Sequence, residues 1–317
     1  MNNTRTVPDR ILSALWRGAG LGLKSAILLA VSMTAASLAV AVLSWTGLLQ
    51  KLGALADPVT AVIGLSGVSV VVLVTSAFLN LYAAIGALVA LVLSQREAAI
   101  VAVMCLIAHS LAYESALMRR TGSSATKMIV LRIGWALAAA FAMHRVLPAS
   151  ADWVPGAARL SGGTLSEVIA AWAPETARLV GGLAILLFIL ALARSLLQEF
   201  GLIERAARVL SPFIWIFGLP SRDAYPWMVG FLSSYASSSR ILSARIKEGE
   251  MKKQEADLFN HHAAMDHGLF EDTSLFLVLG FSLFWLIIPR LAIALIVVWF
   301  ERIRRHRFRR SFKAGTA

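Results

Sequence analysis

The chain has 317 residues, of which 58% are hydrophobic and only 15% charged, and its mean hydropathy is +0.73. That usage excludes a soluble globular domain, and apolar runs of roughly 20 residues, long enough to cross a bilayer as helices, recur along almost the whole sequence. The formal charge of +12 does not point to nucleic acid, because nine of the charges sit in the two tails.

Residues 1–24 carry Arg5, Arg10, Arg17 and Lys24 against Asp9, and are expected to form a basic cytoplasmic segment. The apolar run 25–49 follows it as in a signal peptide, but is too long and lacks a small-residue cleavage site, so it reads as a first membrane helix. Further apolar segments fall at 59–93, 97–118, 128–147, 176–198, 211–219, 224–246 and 272–300. Segment 59–93 is expected to turn near Asn80, and 211–219, ending in Gly218-Leu219-Pro220, to be half of another hairpin. Residues 148–175, rich in Pro, Gly and Ser, carry Asp152, Glu167 and Glu175 against Arg159 and read as a periplasmic linker. Residues 301–317 carry six arginines and Lys313 against Glu301. Cytoplasmic flanks hold such an excess of Lys and Arg, which places both termini in the cytoplasm of a bacterial inner-membrane protein. The run from Arg302 to Lys313 also suits anionic lipid headgroups, at about 1 kcal/mol per basic residue.

The halves resemble each other. A slide of 154 places Gly47-Leu48-Leu49-Gln50 over Gly201-Leu202-Ile203-Glu204, Pro58 over Pro212 and Gly64-Leu65 over Gly218-Leu219. A slide of 158 places His109 over His267, Leu111 over Leu269, Glu114-Ser115 over Asp272-Thr273 and Arg132 over Arg290. The expected fold is therefore all-α and polytopic, with about 8–10 membrane segments including broken or re-entrant helices. A first membrane repeat spans 25–147 and a second 176–300. With an external linker and internal tails each repeat crosses an odd number of times, so the two are inverted.

The densest polar cluster runs from Asn260 through His261, His262, Asp266 and His267 to Glu271, Asp272 and Thr273, holding half of the six histidines. On a helix His262 and Asp266 lie one turn apart, as do His267 and Glu271. Asp272 and Thr273 stand where they can cap the last membrane helix. A solvated loop over 247–271 is the competing reading, since Lys247 to Asp257 is polar. Against it stand the counterparts His109 and Glu114, which lie inside an apolar segment, where ionisable groups usually mark substrate or proton paths. Ser234, Ser237 and Ser238 are expected to line such a path, with Asn80 at a matching depth; the alternative is hydroxyls bonded back to their own helix. Imidazole and carboxylate suit divalent ions, but the spacing matches no metal signature, so neither metal nor cofactor is expected. Cys105, the one cysteine, excludes an internal disulfide and thiolate metal sites. There is no phosphate-binding Gly-x-x-x-x-Gly-Lys-Ser/Thr loop and no Gly-x-Ser-x-Gly elbow, and no enzyme activity is expected.

The run His261-His262-Ala263-Ala264 to His267, followed by Glu271-Asp272-Thr273-Ser274-Leu275-Phe276, resembles the nucleoside-recognition or "gate" domain membrane proteins. That group is similar to spore maturation membrane proteins, to part of concentrative nucleoside transporters and to the gate repeats of the bacterial ferrous-iron transporter. The resemblance is best over 200–300 and fainter over 60–140. It implies a transporter-like helical fold with broken helices and supplies no substrate; this chain departs from the iron transporter in having no cysteine near the cluster. The function expected is a permease or transport component for a small polar solute, nucleoside-like or an ion, with proton or ion coupling. A non-transporting assembly or regulatory factor is the alternative. The expected partners are the lipid bilayer, that solute or ion, and a second copy or another membrane protein.

Overall fold

A computed structural model describes residues 6–149, 152–153 and 163–314. The chain is an all-α membrane protein. Its first half runs α1 (Val7–Trp45), α2 (Leu48–Thr60), α3 (Val70–Phe78), α4 (Leu81–Val89), α5 (Gln95–Ala108), α6 (Leu111–Arg120) and α7 (Ala125–Val146). The second repeats that order as α8 (Leu165–Glu199), α9 (Leu202–Leu210), α10 (Ala224–Leu232), α11 (Tyr235–Lys247), α12 (Lys253–Asp266), α13 (Glu271–Val278) and α14 (Leu283–Ala314). Among the described residues the only strands are the two-residue β1 (Leu93–Ser94) and β2 (Asp152–Trp153), paired antiparallel. Among the described residues, five helical stretches are long and apolar enough to cross a membrane, and a sixth if the pair 48–63 and 67–78, bent by 97°, counts as one broken span.

Both long helices begin earlier than the apolar runs suggest. Thr6 and Asp9 form a reciprocal capping box that starts α1 at Val7, so the basic segment expected over 1–24 is mostly helix and the first helix does not begin at 25. Thr164 and Glu167 do the same for α8, which takes 165–175 from the expected linker. The linker between Trp153 and Gly163 lies outside the described residues.

The repeat extends to the backbone. Gly47 and Gly201 hold left-handed φ of 70° and 63° between α1 and α2 and between α8 and α9, a conformation open to glycine at little cost. Leu65 N–H donates to Thr60 O, and Leu219 N–H to Ile214 O, the same bond 154 residues on. Helix α3 stops at Leu79, and Asn80 accepts from Ala83 N–H at 2.9 Å to start α4, so the expected turn near Asn80 is a helix break.

The corresponding helices α1 and α8 lie side by side and antiparallel. Arg10 Nε donates to Glu199 at 3.1 Å, Ser195 Oγ to Ala14 O at 2.7 Å, Trp172 Nε1 to Ser37 Oγ at 2.9 Å and Trp45 Nε1 to Gly163 O at 3.2 Å. Small residues set the approach: a Cβ at Gly18 or Gly22 would lie 2.9 Å from Leu192 Cα or from the Phe188 ring. Inside this frame α5 is buried on every face from Ala98 to Ile107, and α12 from Phe259 to Asp266. A helix apolar all round belongs in such a place; one carrying Asn260, two histidines and Asp266 needs partners there.

Candidate functional site

Helices α5 and α12 end in the same way. After Ala108, His109 is extended (φ −82°, ψ 159°) and Ser110 is left-handed (φ 47°); after Asp266, His267 is extended (φ −64°, ψ 161°) and Gly268 is left-handed (φ 63°). Ser110 is the one non-glycine residue at positive φ among those described, and such strain collects at functional sites. Both breaks are pinned to the neighbouring short helix, Ser110 N–H to Ser76 O at 2.8 Å and Gly268 N–H to Gly230 O at 2.9 Å.

Breaking a helix inside an apolar bundle orphans carbonyls that no water can satisfy. Two fully buried arginines take them. Arg132 on α7 donates from Nε to Ile107 O at 2.7 Å and from Nη2 to His109 O at 2.8 Å. Arg290 on α14 donates to Met265 O at 3.3 Å and to His267 O at 2.6 Å. Their remaining nitrogens differ: Arg132 Nη1 stands 2.7 Å from Glu114 Oε2, whereas Arg290 Nη1 donates to Thr273 Oγ1 at 3.3 Å.

The two breaks meet. His109 Nε2 and His267 Nε2 are 3.2 Å apart, and Glu114 Oε1 lies 3.2 Å from the first and 3.0 Å from the second. All three side chains are buried. Each imidazole turns its Nδ1 to a main-chain carbonyl one turn back, Cys105 O at 3.0 Å and Ala263 O at 2.6 Å. A carbonyl only accepts, so Nδ1 carries the proton and both Nε2 lone pairs face the carboxylate. The expected pair of His267 with Glu271 does not form, because the break at Gly268 turns the chain between them. Glu271 instead sits 3.3 Å from Arg194, whose Nη1 also donates to Ser233 Oγ at 2.6 Å.

A second chain of contacts leads away from this centre. Trp227 Nε1–H donates to His262 Nε2 at 2.7 Å, so the neutral ring carries its proton on Nδ1, which stands 3.3 Å from Asp266 Oδ1 without a formed hydrogen bond. A cavity of about 10 Å³, room for one water, is bordered by Asp266, His267, Ser238 and Trp227.

The other expected residues have structural partners. Asn260 ties the halves together, accepting from Tyr235 Oη at 2.7 Å and donating to Thr121 and Ser123 at 2.9 and 2.8 Å. His261 donates from Nδ1 to Asp257 O at 2.6 Å and faces Glu301, itself held by Lys127, Arg304 and Arg305. Asp272 lies in the first turn of α13, with its carboxylate folded against Gly268, and Thr273 is bound by Arg290, so neither caps the last membrane helix, α14. Ser234 is exposed, Ser237 meets Ser233 at 3.1 Å and Ser238 donates back to Tyr235 O at 3.1 Å, which matches the helix-bonded alternative at Ser238. Asn80 caps α4 and donates to Ser32 at 3.2 Å. Cys105, for its part, lies one turn from the centre through its carbonyl. Arg132, Arg290 and Arg194 are arginines inside apolar segments, a signal as strong as the histidines, and the first two also stand at aligned positions of the two halves.

The chain is similar to YvoD of Bacillus subtilis (strain 168), described as an uncharacterized membrane protein: 26% of residues are identical over 271, covering 82% of this chain and 85% of that one. No protein-family pattern matches it, and no solved structure does.

Proposed function

We propose that this protein is a permease or transport component in which the two halves move about the His109–Glu114–His267 centre, moving a small polar solute or ion. The observation that carries the reading is the meeting of two equivalent helix breaks, each presenting an imidazole, around one buried carboxylate. Ionisable groups at such depth are costly and are retained where they bind or pass something. Broken helices at corresponding places of two repeats favour the same reading, and the gate-domain resemblance of 200–300 agrees with it. The antiparallel run of α1 and α8 supports inverted halves, with both termini cytoplasmic and the linker periplasmic; a reporter active only in the periplasm, fused at Gly156, should give signal.

The direct test is uptake by proteoliposomes of a panel of nucleosides and of monovalent and divalent cations. At least one should enter faster than into protein-free vesicles, and His267→Ala and Glu114→Gln should abolish that rate. Wild-type rates in both variants, or no accelerated solute, would overturn the proposal. The small volume beside His267 favours a second reading, a static membrane assembly factor, and no accelerated flux is the result that reading expects.

A further inference from the structure

The three atoms at the centre pose a problem that protons do not solve. His109 Nε2, His267 Nε2 and Glu114 Oε1 form a triangle with edges of 3.2, 3.2 and 3.0 Å. With both Nδ1 protons committed to carbonyls, all three corners present electron pairs. One added proton, on either imidazole, bridges at most two edges and leaves the third as two acceptors in contact. Two added protons set two N–H groups against each other at 3.2 Å. A cation equidistant from all three corners satisfies every edge at once.

Bond lengths of about 2.0–2.2 Å to imidazole nitrogen and carboxylate oxygen place neighbouring ligands about 2.9–3.5 Å apart at tetrahedral or octahedral angles. The observed edges fall in that interval. The outer contacts of a built metal site are also present: each histidine donates its far N–H to a carbonyl, and Arg132 holds the second oxygen of Glu114 at 2.7 Å, leaving Oε1 to bind alone. The surrounding charge favours a cation, since Arg132 and Arg290 face three carboxylates, Glu114, Asp266 and Asp272. The other group of possible ligands, Asp257, His261 and Glu301, is already neutralised by Lys127, Arg304 and Arg305.

The geometry points to a site for one divalent first-row transition-metal ion, bound by His109 Nε2, His267 Nε2 and Glu114 Oε1 across the junction of the two halves. It rests on reading this centre as a binding site and names the ligand class it takes, against the sequence expectation of no metal. Two imidazoles and one carboxylate suit zinc, cobalt or iron(II) and do not suit magnesium or calcium. Because each half supplies one histidine, the ion clamps α5 to α12.

The test uses the full chain in detergent, stripped with chelator and titrated with Co²⁺ and then Zn²⁺. The wild type is expected to take one equivalent of Co²⁺ with visible ligand-field absorption, to lose that absorption to Zn²⁺ and not to Mg²⁺, and to melt at a higher temperature with Zn²⁺ bound. His267→Ala should lose the absorption and the thermal gain, and Glu114→Gln should weaken binding by at least about 10-fold. His109→Gln guards against loss through misfolding: it must elute as the wild type does and still fail to bind. His261→Ala should bind normally. No absorption from the wild type, or equal binding by His267→Ala, would overturn the site. Solute flux without metal binding leaves the transport reading standing and removes the metal; metal binding without flux does the reverse.

Discussion

The break after α5 and the break after α12 share one backbone and differ in nearly everything hung on it. In the first half the space beside the break is lined by Leu73, Ser76, Ala77, Cys105 and Ala108, which leave an apolar cleft of about 200 Å³. At the equivalent positions the second half carries Trp227, Gly230, Phe231, Ala263 and Asp266, and only about 10 Å³ remains. Trp227, Phe231 and His262 stack there, with Phe217 against the imidazole at 4.9 Å. The carboxylate is divided the other way: Glu114 is long enough to reach both histidines, whereas Asp272, its counterpart, folds against Gly268. The two halves thus share the parts that satisfy backbone groups, the two arginines and the two Nδ1 contacts. They differ in the filling, because side-chain volume can vary where backbone hydrogen bonds in an apolar interior cannot.

Removing the arginines in turn separates the two breaks most strongly. Arg132→Met orphans two carbonyls and breaks the 2.7 Å ion pair with Glu114, at a cost of about 3–5 kcal/mol, while Arg290→Met orphans two carbonyls and a hydroxyl and removes a cation from Asp266 and Asp272, which it faces without a direct ion pair, and costs less. Thermal unfolding in detergent should show the larger fall for Arg132→Met, and the opposite order would mean that Glu114 is not held as described. The left-handed positions come next. Gly268→Ala puts a Cβ 1.9 Å from Asp272 Oδ2 on a backbone that already disfavours it, a loss of more than about 1 kcal/mol. Ser110→Gly relieves the same strain and should not lower the melting temperature.

Smaller effects test the filling. Ala77→Phe, which imitates Phe231 in the open cleft, should be tolerated, whereas Trp227→Phe deprives His262 of its donor and should cost about 1 kcal/mol. Smallest of all is the start of α12, where the Lys252 N–H and then the Arg222 guanidinium hold the Glu255 carboxyl below its ordinary range. A depressed carboxyl contributes stability above its unfolded value and loses it as pH falls through the folded one. Hydrogen exchange at the first turn of α12 should therefore be faster in Glu255→Gln than in the wild type at neutral pH, with the difference vanishing in acid.

Much of this was legible in the chain. The slides of 154 and 158 paired the two histidines, the two arginines and the αL glycines, because residues that satisfy backbone groups keep their spacing. The starts of α1 and α8 were readable too, as Thr6-x-x-Asp9 and Thr164-x-x-Glu167, but Arg10 and Arg17 put polar residues into α1 ahead of its apolar run and hid the onset. What sequence spacing did not reveal was partnership. One-turn logic paired His267 with Glu271, correct only for an unbroken helix, and a left-handed Gly268 redirected the imidazole to a glutamate 153 residues away.

The antiparallel pair α1 and α8 has a mechanical side. Its helices, of 39 and 35 residues, are about 58 and 52 Å long, against a hydrocarbon layer of about 30 Å. Tied at one end by Arg10 to Glu199 and at the other by Trp45 to Gly163, they form a strut longer than the layer is thick. A strut of that length is accommodated by tilting or by projecting into the headgroups. Arg194 on that strut grips Glu271, four residues beyond His267, so the strut is joined directly to the segment that follows the histidine.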